Sequence, residues 1–310
     1  MSALVRISRA IEEPVLVLRM ELFRILAPLF VLGFMSRRFV HADEWVGDSG
    51  FRVPPLGGDW RQPLYVPALP AWAAWGLAAA MVASGLAVSL GIRTRASALV
   101  FAATLVFVAL SDRLAAFTVS KISPVLMIAI AIGPSGTRLG FDAWRRRRAG
   151  GTRPRKARSI GPVRFLQVFL PVFYSSSGIA KAKGDWLTTP HLLWTHLHDT
   201  YQTSVSFFLA SITPGWAFNL LQALVLAFEI GAPLWFALRA TRTLAFAFGM
   251  LLHLMIALMF GPVVWFGCLM MTALASAYMP ETWFSPLERL ASQTENRKRG
   301  AHGSGGTDAT

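Results

Sequence analysis

The sequence predicts an all-α protein that crosses a membrane several times, and its composition is the reason. Hydrophobic residues make up 54% of the 310 residues, charged residues make up only 15%, and the mean hydropathy is +0.49. A water-soluble domain carries roughly 25% charged residues, so this chain has too few to cover an aqueous surface. The single cysteine, Cys268, excludes a disulfide scaffold, a thiol redox pair and a four-cysteine zinc site.

Eight apolar segments are the predicted membrane-spanning helices of the bundle. A helix needs about 20 mainly apolar residues to cross a bilayer, and segments near this length lie at 18–35, 69–91, 96–111, 117–133, 162–180, 216–238, 243–260 and 262–279. The first segment is the least apolar because it contains Arg19, Glu21 and Arg24. Only a few residues separate the third segment from the fourth, so two spans and one bent pair both remain open.

The distribution of basic residues predicts which end of each span faces the cytoplasm. The chain has 30 Lys and Arg residues against 16 Asp and Glu, and the cations are most concentrated between residues 145 and 158. If the N-terminus lies inside, this run and most other cations fall on inside segments, as is usual in multi-span proteins. We therefore expect an N-in, C-in topology in which the run faces anionic lipid headgroups, with no nucleic-acid partner.

The segments between and after the spans predict two outside features and a disordered tail. Residues 36–68 contain Gly, Pro and Trp residues and predict an outside loop between the first and second spans. Residues 185–201 predict a short amphipathic outside helix at the membrane interface, after the fifth span. The polar, Gly- and Ser-rich end of the chain predicts a transmembrane domain over 1–284 and a disordered cytoplasmic tail over 285–310.

Histidines in the outside segment 185–201 raise the question of a metal site. The segment contains His191, His196 and His198 together with Asp185 and Asp199. A metalloprotease helix places histidines at i and i+4 with an adjacent Glu, and this pattern does not occur here. Helical geometry would bring only His191 and His198 to one face. We therefore expect an interfacial helix anchored by Trp186 and Trp194, and no metal ligands.

Lys181, at the outer end of the fifth span, is the most specific candidate for a functional residue. Tyr174, Ser177 and Gly178 precede it by seven, four and three residues, so a helix places all four on one face. This face is small and polar and should point into the bundle. An amine in that position loses hydration, which disfavours its charged form, and a neutral amine can act as a general base or nucleophile. The alternative is that Lys181 extends to the outer headgroups.

Glu229 and His253 are ionisable residues inside the sixth and seventh predicted spans. At about 1.5 Å of rise per residue, they lie at similar depths on antiparallel neighbouring helices. A pair between them would either orient a proton-relay histidine or hold the two helices together. Arg24 on the first span is a second candidate partner for Glu229.

The residues around Lys181 resemble a family signature. Tyr174-x3-Gly178-Ile179-Ala180-Lys181-x4-Trp186 is similar to the signature of the membrane domain of vitamin K-dependent γ-carboxylases and their bacterial relatives, the horizontally transferred transmembrane (HTTM) family. Further similarities follow in order along the chain, at Arg19 and Arg24, residues 45–55, residues 133–142, Glu229, Arg239 and residues 252–254. Together they extend over nearly the whole chain up to about residue 284.

The resemblance implies a multi-pass protein of the cell membrane, in bacteria the inner membrane, that works with an isoprenoid quinone or hydroquinone. In the carboxylases the lysine of this motif is taken to be the base that deprotonates reduced vitamin K, and Lys181 is the matching residue. Glu229 and His253 would then support it as further catalytic residues. Such an enzyme would be carboxylase-like, or a quinone-dependent lyase or oxidoreductase.

The resemblance also implies that Tyr174, Ser177, Gly178 and Trp186 contact the cofactor. The carboxylases hold their protein substrate with a large extramembrane region that is not present in this sequence, which argues against γ-carboxylation of a protein. A non-catalytic alternative stays open: a lipid-binding or helper subunit of the membrane whose buried charges are structural. The sequence predicts a lipid bilayer around the protein and identifies no protein partner.

Overall fold

The structure, a computed structural model, describes residues 15–50, 66–111, 118–151, 156–157, 160–198 and 202–286. The chain divides into two units, Met1–Tyr278 and Met279–Thr310. The described part of the second unit contains a short helix at residues 281–286. Most of the predicted disordered tail lies outside the described residues.

The described part of Met1–Tyr278 consists almost entirely of α-helices. They are α1 (Val17–Phe39), α2 (Ala42–Val46), α3 (Ala71–Leu90), α4 (Thr94–Ser111), α5 (Thr118–Ile132), α6 (Phe141–Arg148), α7 (Gly161–Lys183), α8 (Leu192–Leu197), α9 (Ser204–Ile212), α10 (Gly215–Ala237), α11 (Arg239–Met259) and α12 (Val264–Tyr278). A 3₁₀ helix, Gly261–Val263, joins α11 to α12. The two-residue strands β1 (Val15–Leu16) and β2 (Lys156–Ala157) pair in antiparallel register.

A helix lies within each of the eight segments predicted as spans, namely α1, α3, α4, α5, α7, α10, α11 and α12. Among the described residues, five helical segments are long and apolar enough to cross a membrane: α3, α4, α10, α11 and Gly261–Tyr278. The helix α5 is apolar but has only 15 residues. The third and fourth predicted segments form two separate helices, α4 and α5, that pack against each other.

The outer surface of these helices is apolar. In the five candidate membrane helices, only 22% to 44% of the most apolar stretch is buried inside the protein. Large side chains such as Leu99, Val168, Leu244 and Leu251 are more than half exposed. An apolar surface of this extent is unfavourable in water and matches the hydrocarbon core of a bilayer. The fold is therefore an all-α fold suited to a lipid bilayer.

Two helices, α1 and α7, are central to the packing. The helix α1 packs against α3, α5 and α12, and α7 packs against α5, α10 and α12. The helices α4 and α11 lie further out, with α4 on α3 and α5, and α11 on α10 and α12. The two central helices are less apolar than the other long helices, and α1 carries three charged residues within its predicted span. Their position in the bundle gives these charges partners that lipid could not supply.

A fully buried arginine on α1 closes one end of the bundle. Arg24 Nε donates to Glu21 Oε2 over 2.9 Å, and neither side chain is meaningfully exposed. Arg24 Nη1 donates to the carbonyl oxygens of Val88 and Ser89 at 2.6 and 2.7 Å, at the C-terminal end of α3. Carbonyls in the last turn of a helix lack partners within the helix, so Arg24 supplies the hydrogen bonds that α3 cannot make.

The loops beside Arg24 approach each other closely at two glycines. Arg24 Nη2 donates to the carbonyl of Leu139 at 3.0 Å, which ties the loop after α5 to the end of α3. Gly91 (φ 73°) and Gly140 (φ 114°) both have positive φ. A Cβ atom at Gly140 would lie 2.9 Å from the carbonyl oxygen of Leu90. Only glycine combines this backbone conformation with this approach.

A second arginine of α1 has the same role at another helix. Arg19 Nη1 donates to the carbonyl oxygens of Ser276 and Ala277, at 3.1 and 3.3 Å, in the last turn of α12. Arg19 and Arg24, which lower the hydropathy of the first predicted span, therefore donate hydrogen bonds to the last carbonyls of two neighbouring helices, α12 and α3. This explains how α1 tolerates them inside the bundle.

Three expectations from the sequence differ from the structure. The pairing of Arg24 with Glu229 is wrong, because Glu21 lies one helical turn away and takes that place. The outside helix expected over 185–201 is limited to α8, because residues 184–190 form turns and hydrogen bonds hold them against α10. The predicted loop 36–68 begins with the end of α1 and the short helix α2, and residues 51–65 lie outside the described residues.

Replacing Arg24 by Met should destabilise the protein strongly. The substitution removes the cation that pairs with the buried Glu21 carboxylate and one hydrogen-bond donor from each of the carbonyls of Val88, Ser89 and Leu139. Removing one partner of a buried ion pair costs about 3–5 kcal/mol. Thermal unfolding of the purified protein in detergent measures this cost. Arg37→Gln is the matched control, because Arg37 lies on the same helix and is exposed, so its loss should leave the unfolding temperature almost unchanged.

Candidate functional site

The predicted functional residues of the fifth span lie on the inner face of α7. Tyr174 and Gly178 are buried, and Ser177 and Lys181 are half-buried. The helix begins with Pro162 in its first turn, where a missing N–H costs nothing, and ends at Gly184. The spacing of seven, four and three residues has therefore placed these side chains on one face, as expected from helical periodicity.

Lys181 forms an ion pair with Glu229 of α10. The Lys181 Nζ atom lies 2.5 Å from Glu229 Oε1, and the two side chains are 28% and 7% exposed. The second carboxylate oxygen, Oε2, is buried and has no hydrogen-bond partner among the described residues. The pairing of Glu229 with His253 is therefore wrong. The amine of Lys181 points into the bundle and is neither free in solvent nor fully enclosed.

Gly178 is the reason that α7 and α10 come close enough for this ion pair. A Cβ atom at position 178 would lie 2.8 Å from both Glu229 Cβ and the backbone nitrogen of Ile230. Real side chains do not tolerate contacts this short, so the approach requires glycine. Gly178 thus acts through helix packing, in the way small residues act between membrane helices.

The aromatic ring of Trp186 covers another side of the Lys181 amine. Lys181 Nζ lies 4.7 Å from the centroid of this ring, within the range of a cation–π contact. The backbone carbonyl of Trp186 accepts a hydrogen bond of 2.6 Å from Gln222 Nε2 of α10. This hydrogen bond fixes the backbone of Trp186 against α10, while the Trp186 ring contacts the Lys181 amine.

Tyr174 and His253 form a second polar pair, deeper in the bundle. The Tyr174 hydroxyl and His253 Nε2 share a hydrogen bond of 2.6 Å, which joins α7 to α11. His253 Nδ1 is buried without a hydrogen-bond partner among the described residues. Phe228 packs edge-on against the Tyr174 ring at 5.3 Å, and Phe266 packs edge-on against His253 at 5.4 Å. Aromatic rings therefore shield this pair from polar groups.

An open groove lies beside Trp186 and α10, and neither Lys181 nor Glu229 is among the residues that line it. It has a volume of about 680 Å³ and lies between the turns after α7 and the exposed face of α10. Trp186 forms one wall, and Leu226, Ala227 and Ile230 supply apolar surface on α10. Clefts of 300–1,000 Å³ are typical of sites for small organic ligands. The Lys181 amine, the Trp186 ring and this groove are therefore neighbours.

The remaining predicted residues have simpler surroundings. Ser177 shares the face of Lys181 and makes no side-chain hydrogen bond with the described residues. His198 Nδ1 donates to the carbonyl of Trp194 within the same short segment. No group of three or more His, Cys, Asp or Glu side chains in the described ranges is arranged to hold a metal ion. Asp199 lies outside the described residues.

Gln222 is a site residue that the sequence analysis missed. Its Nε2 donates to the carbonyl oxygens of Trp186 and Thr189, and its Oε1 accepts from the backbone nitrogen of Leu193 at 3.4 Å. The Gln222 side chain therefore holds the turn over residues 186–189, which forms the groove wall opposite α10. A buried glutamine within an apolar helix is an available signal, because its amide requires partners inside the bundle.

Comparison with known proteins identifies a family for most of the chain. The HTTM domain family matches residues 16–283. No curated protein and no solved structure matches the sequence. The matched range includes all residues of the site, from Tyr174 on α7 to His253 on α11.

Replacing Gly178 by Ala should separate α7 from α10 and weaken the ion pair. The new methyl group would overlap the backbone of Ile230, which cannot move independently of α10, and overpacking of this kind typically costs about 1–3 kcal/mol. The unfolding temperature in detergent should therefore fall. Gly76→Ala is the matched control, because Gly76 also lies in an apolar helix and its Cβ would meet no atom within 4 Å. A control that loses as much stability as G178A would contradict the packing role.

Proposed function

Because this chain belongs to the HTTM domain family, we propose that it is a multi-span membrane protein in which Lys181 acts as a base toward a ring hydroxyl of an isoprenoid hydroquinone. The supporting observation is that Trp186 both contacts the amine of the Lys181–Glu229 ion pair and lines the open groove. A lysine within a membrane-spanning bundle is costly and is a candidate functional residue for that reason. The proposal rests on the position of this amine between a carboxylate, an aromatic ring and a cleft.

The groove is suited to a flat ring carried by a lipid. The Trp186 ring offers a surface for stacking, and Leu226 and Ile230 offer an apolar wall. Ser177 lies one helical turn from Lys181 on the same face and can make a further polar contact. A hydroquinone, when bound, supplies an acidic ring hydroxyl. Trp186 and Ser177 are the residues proposed to contact it.

Glu229 prepares the amine for proton uptake. The Lys181 Nζ and Glu229 Oε1 atoms lie 2.5 Å apart, so one proton of the ammonium group can pass directly to the carboxylate, which leaves the amine neutral. Lys181 Nζ then takes up the proton of the ring hydroxyl. The ammonium group that results stabilises the negative charge left on the ring oxygen.

Tyr174, Gly178 and His253 have positioning roles in this proposal. The hydrogen bond between Tyr174 and His253 fixes α7 against α11, and Gly178 sets the distance between α7 and α10. Both contacts determine where Lys181 lies relative to the groove. None of the three side chains needs to touch the hydroquinone.

The proposal includes an eight-span arrangement in the cell membrane, N-in and C-in. The internal hydrogen bonds of Arg19 and Arg24 lower the cost of inserting α1. The helix α7 has its cations near its two ends, at Arg164, Lys181 and Lys183. With α1, α5 and α7 included, the arginines that follow α3, α5 and α10 lie on the same side of the membrane, as basic inside loops do.

A second candidate function is that of a non-catalytic membrane component, such as a lipid-binding or helper subunit. The observation in its favour is that the Lys181–Glu229 pair bridges α7 and α10 directly at their tightest approach. Buried polar contacts between membrane helices hold bundles together without any chemistry. In this case the charge of Lys181 matters and its ability to accept a proton does not.

Substitutions of Lys181 separate the two candidates. Lys181→Ala removes both the base and the ion pair, whereas Lys181→Arg keeps a cation beside Glu229 but cannot lose its proton. If Lys181 is a base, both variants should lose hydroquinone turnover, by about 10²-fold or more. The assay uses the purified protein in nanodiscs with a reduced isoprenoid naphthoquinone and dissolved dioxygen as the electron acceptor, and absorbance follows formation of the quinone above the rate without protein. Mass spectrometry of co-purifying lipids tests for a bound quinone.

Lys183→Ala is the matched control, because Lys183 lies two residues further along α7 and is exposed. It should keep full turnover. A K181R variant as active as the unchanged protein would contradict the base and support the structural candidate. The proposal also fails if the unchanged protein neither consumes the hydroquinone nor retains a quinone during purification.

A further inference from the structure

A polar pocket lies at the opposite end of the bundle from Lys181, beside the start of α4. It has a volume of about 460 Å³ and is formed by the turn before α4, the loop after α5 and the helix α6. Its lining includes Arg93, Thr94, Arg95, Ser135, Asp142 and Arg146. We refer to it as the arginine pocket. Neither the family match nor the proposed chemistry at Lys181 accounts for it.

The arginine pocket has an excess of positive charge. Arg93, Arg95 and Arg146 are exposed on its rim, and none of them forms an ion pair with a described residue. Its one carboxylate, Asp142, accepts a hydrogen bond of 2.6 Å from the backbone nitrogen of Arg93. The pocket thus combines three guanidinium groups with one carboxylate, and one of the three already donates from Arg146 Nη2 to the carbonyl oxygen of Gly136 at 2.7 Å. Guanidinium groups are the preferred partners of phosphate oxygens because they donate two parallel hydrogen bonds.

Two buried hydroxyl groups in the lining lack partners. Thr94 and Ser135 are 5% and 7% exposed, and their Oγ atoms have no hydrogen-bond partner among the described residues. A buried hydroxyl without a partner costs free energy, so such groups usually indicate a missing water or ligand. Both residues belong to the lining of the arginine pocket.

The start of α4 adds a third source of positive potential. The helix has 18 residues, and the backbone N–H groups of Thr94, Arg95 and Ala96 in its first turn have no acceptor within the helix. The partial positive charge at a helix N-terminus favours anions, most strongly phosphate. Gly136, with φ 75°, lets the opposite loop approach Thr94, because a Cβ there would overlap the Thr94 hydroxyl.

We propose that the arginine pocket binds a phosphate group. Arg93, Arg95 and Arg146 would contact the phosphate oxygens, and the hydroxyls of Thr94 and Ser135 would donate to them. The pocket lies where α4 enters the membrane, so the phosphate can belong to a lipid headgroup or to a soluble compound. The shared chemistry is recognition of a phosphate monoester or diester.

The experiment measures ligand-induced stabilisation of the purified full chain in detergent. The probes are inorganic phosphate at constant ionic strength, dioctanoyl phosphatidic acid, and dioctanoylglycerol, which has the same chains without phosphate. A ligand that binds only the folded protein raises the unfolding temperature. Stabilisation by phosphatidic acid alone identifies a lipid headgroup, and stabilisation by inorganic phosphate identifies a soluble source. Either result supports the proposal, whereas no stabilisation by either probe overturns it.

Variants test whether the arginine pocket is the binding site. The R93Q/R95Q double variant removes two cations that have no described partner, and Thr94→Val removes an unpaired hydroxyl while keeping the side-chain shape. Each should raise the half-saturating probe concentration by about tenfold or more, the loss expected for one charge-assisted hydrogen bond. T94V should do so without lowering the stability of the unliganded protein, because it removes an unsatisfied group.

The R145Q/R148Q double variant is the matched control. It removes the same charge from the adjacent helix α6, and neither residue lines the arginine pocket. Its half-saturating concentration should stay within about twofold of that of the unchanged protein, because long-range charge alone contributes little at working ionic strength. Equal losses in R93Q/R95Q and R145Q/R148Q would overturn the proposal and show only nonspecific attraction to a basic surface.

Discussion

The hydrogen bonds that Arg24 makes inside the protein are the constraint on which the packing of α1, the end of α3 and the loop after α5 depends. No water reaches the hydrocarbon core of a bilayer, so backbone carbonyls at a buried helix end require donors from the protein itself. Arg24 supplies them to α3, and Arg19 supplies them to α12. Both residues belong to α1, so α1 must lie between the helices that it completes. The same two arginines therefore explain both the low hydropathy of α1 and its central position in the bundle.

Two ion pairs among the described residues, Arg24–Glu21 and Lys181–Glu229, differ in how completely their hydrogen bonds are satisfied. Arg24 uses Nε, Nη1 and Nη2 in hydrogen bonds, and both oxygens of its partner Glu21 are also used. The Lys181–Glu229 pair is less complete, because one carboxylate oxygen has no described partner and the lysine is partly exposed beside a groove. A fully satisfied network resists a change of protonation, whereas an incomplete one can take up or release a proton. This contrast favours a functional role for the second pair.

The sequence was enough to predict the helices and the helix face that carries Lys181. It was not enough to predict which residues pair with Lys181, Glu229 and Arg24. Apolar length placed a helix in all eight predicted segments, and helical spacing grouped Tyr174, Gly178 and Lys181. His253 and Arg24 were the two candidate partners of Glu229, and Lys181 was missed because the choice depends on which helices are neighbours, which Gly178 decides through close packing. The spacing of Glu21 and Arg24, three residues apart, was a signal that would have identified their pair. The capping box at Thr203 and Ser206 likewise marks the start of α9, a helix missing from the sequence analysis.

Glu229 and Gln222 are seven residues apart on α10, which is two helical turns or about 10 Å along one side of the helix. The first holds the Lys181 amine, and the second holds the turn that carries Trp186. A rotation or a shift of α10 along its axis would therefore displace the lysine's counter-ion and the wall of the cleft together. The wall of the cleft and the counter-ion of the amine are therefore mechanically coupled, so a movement of α10 that widens the cleft also moves the Glu229 carboxylate relative to the lysine.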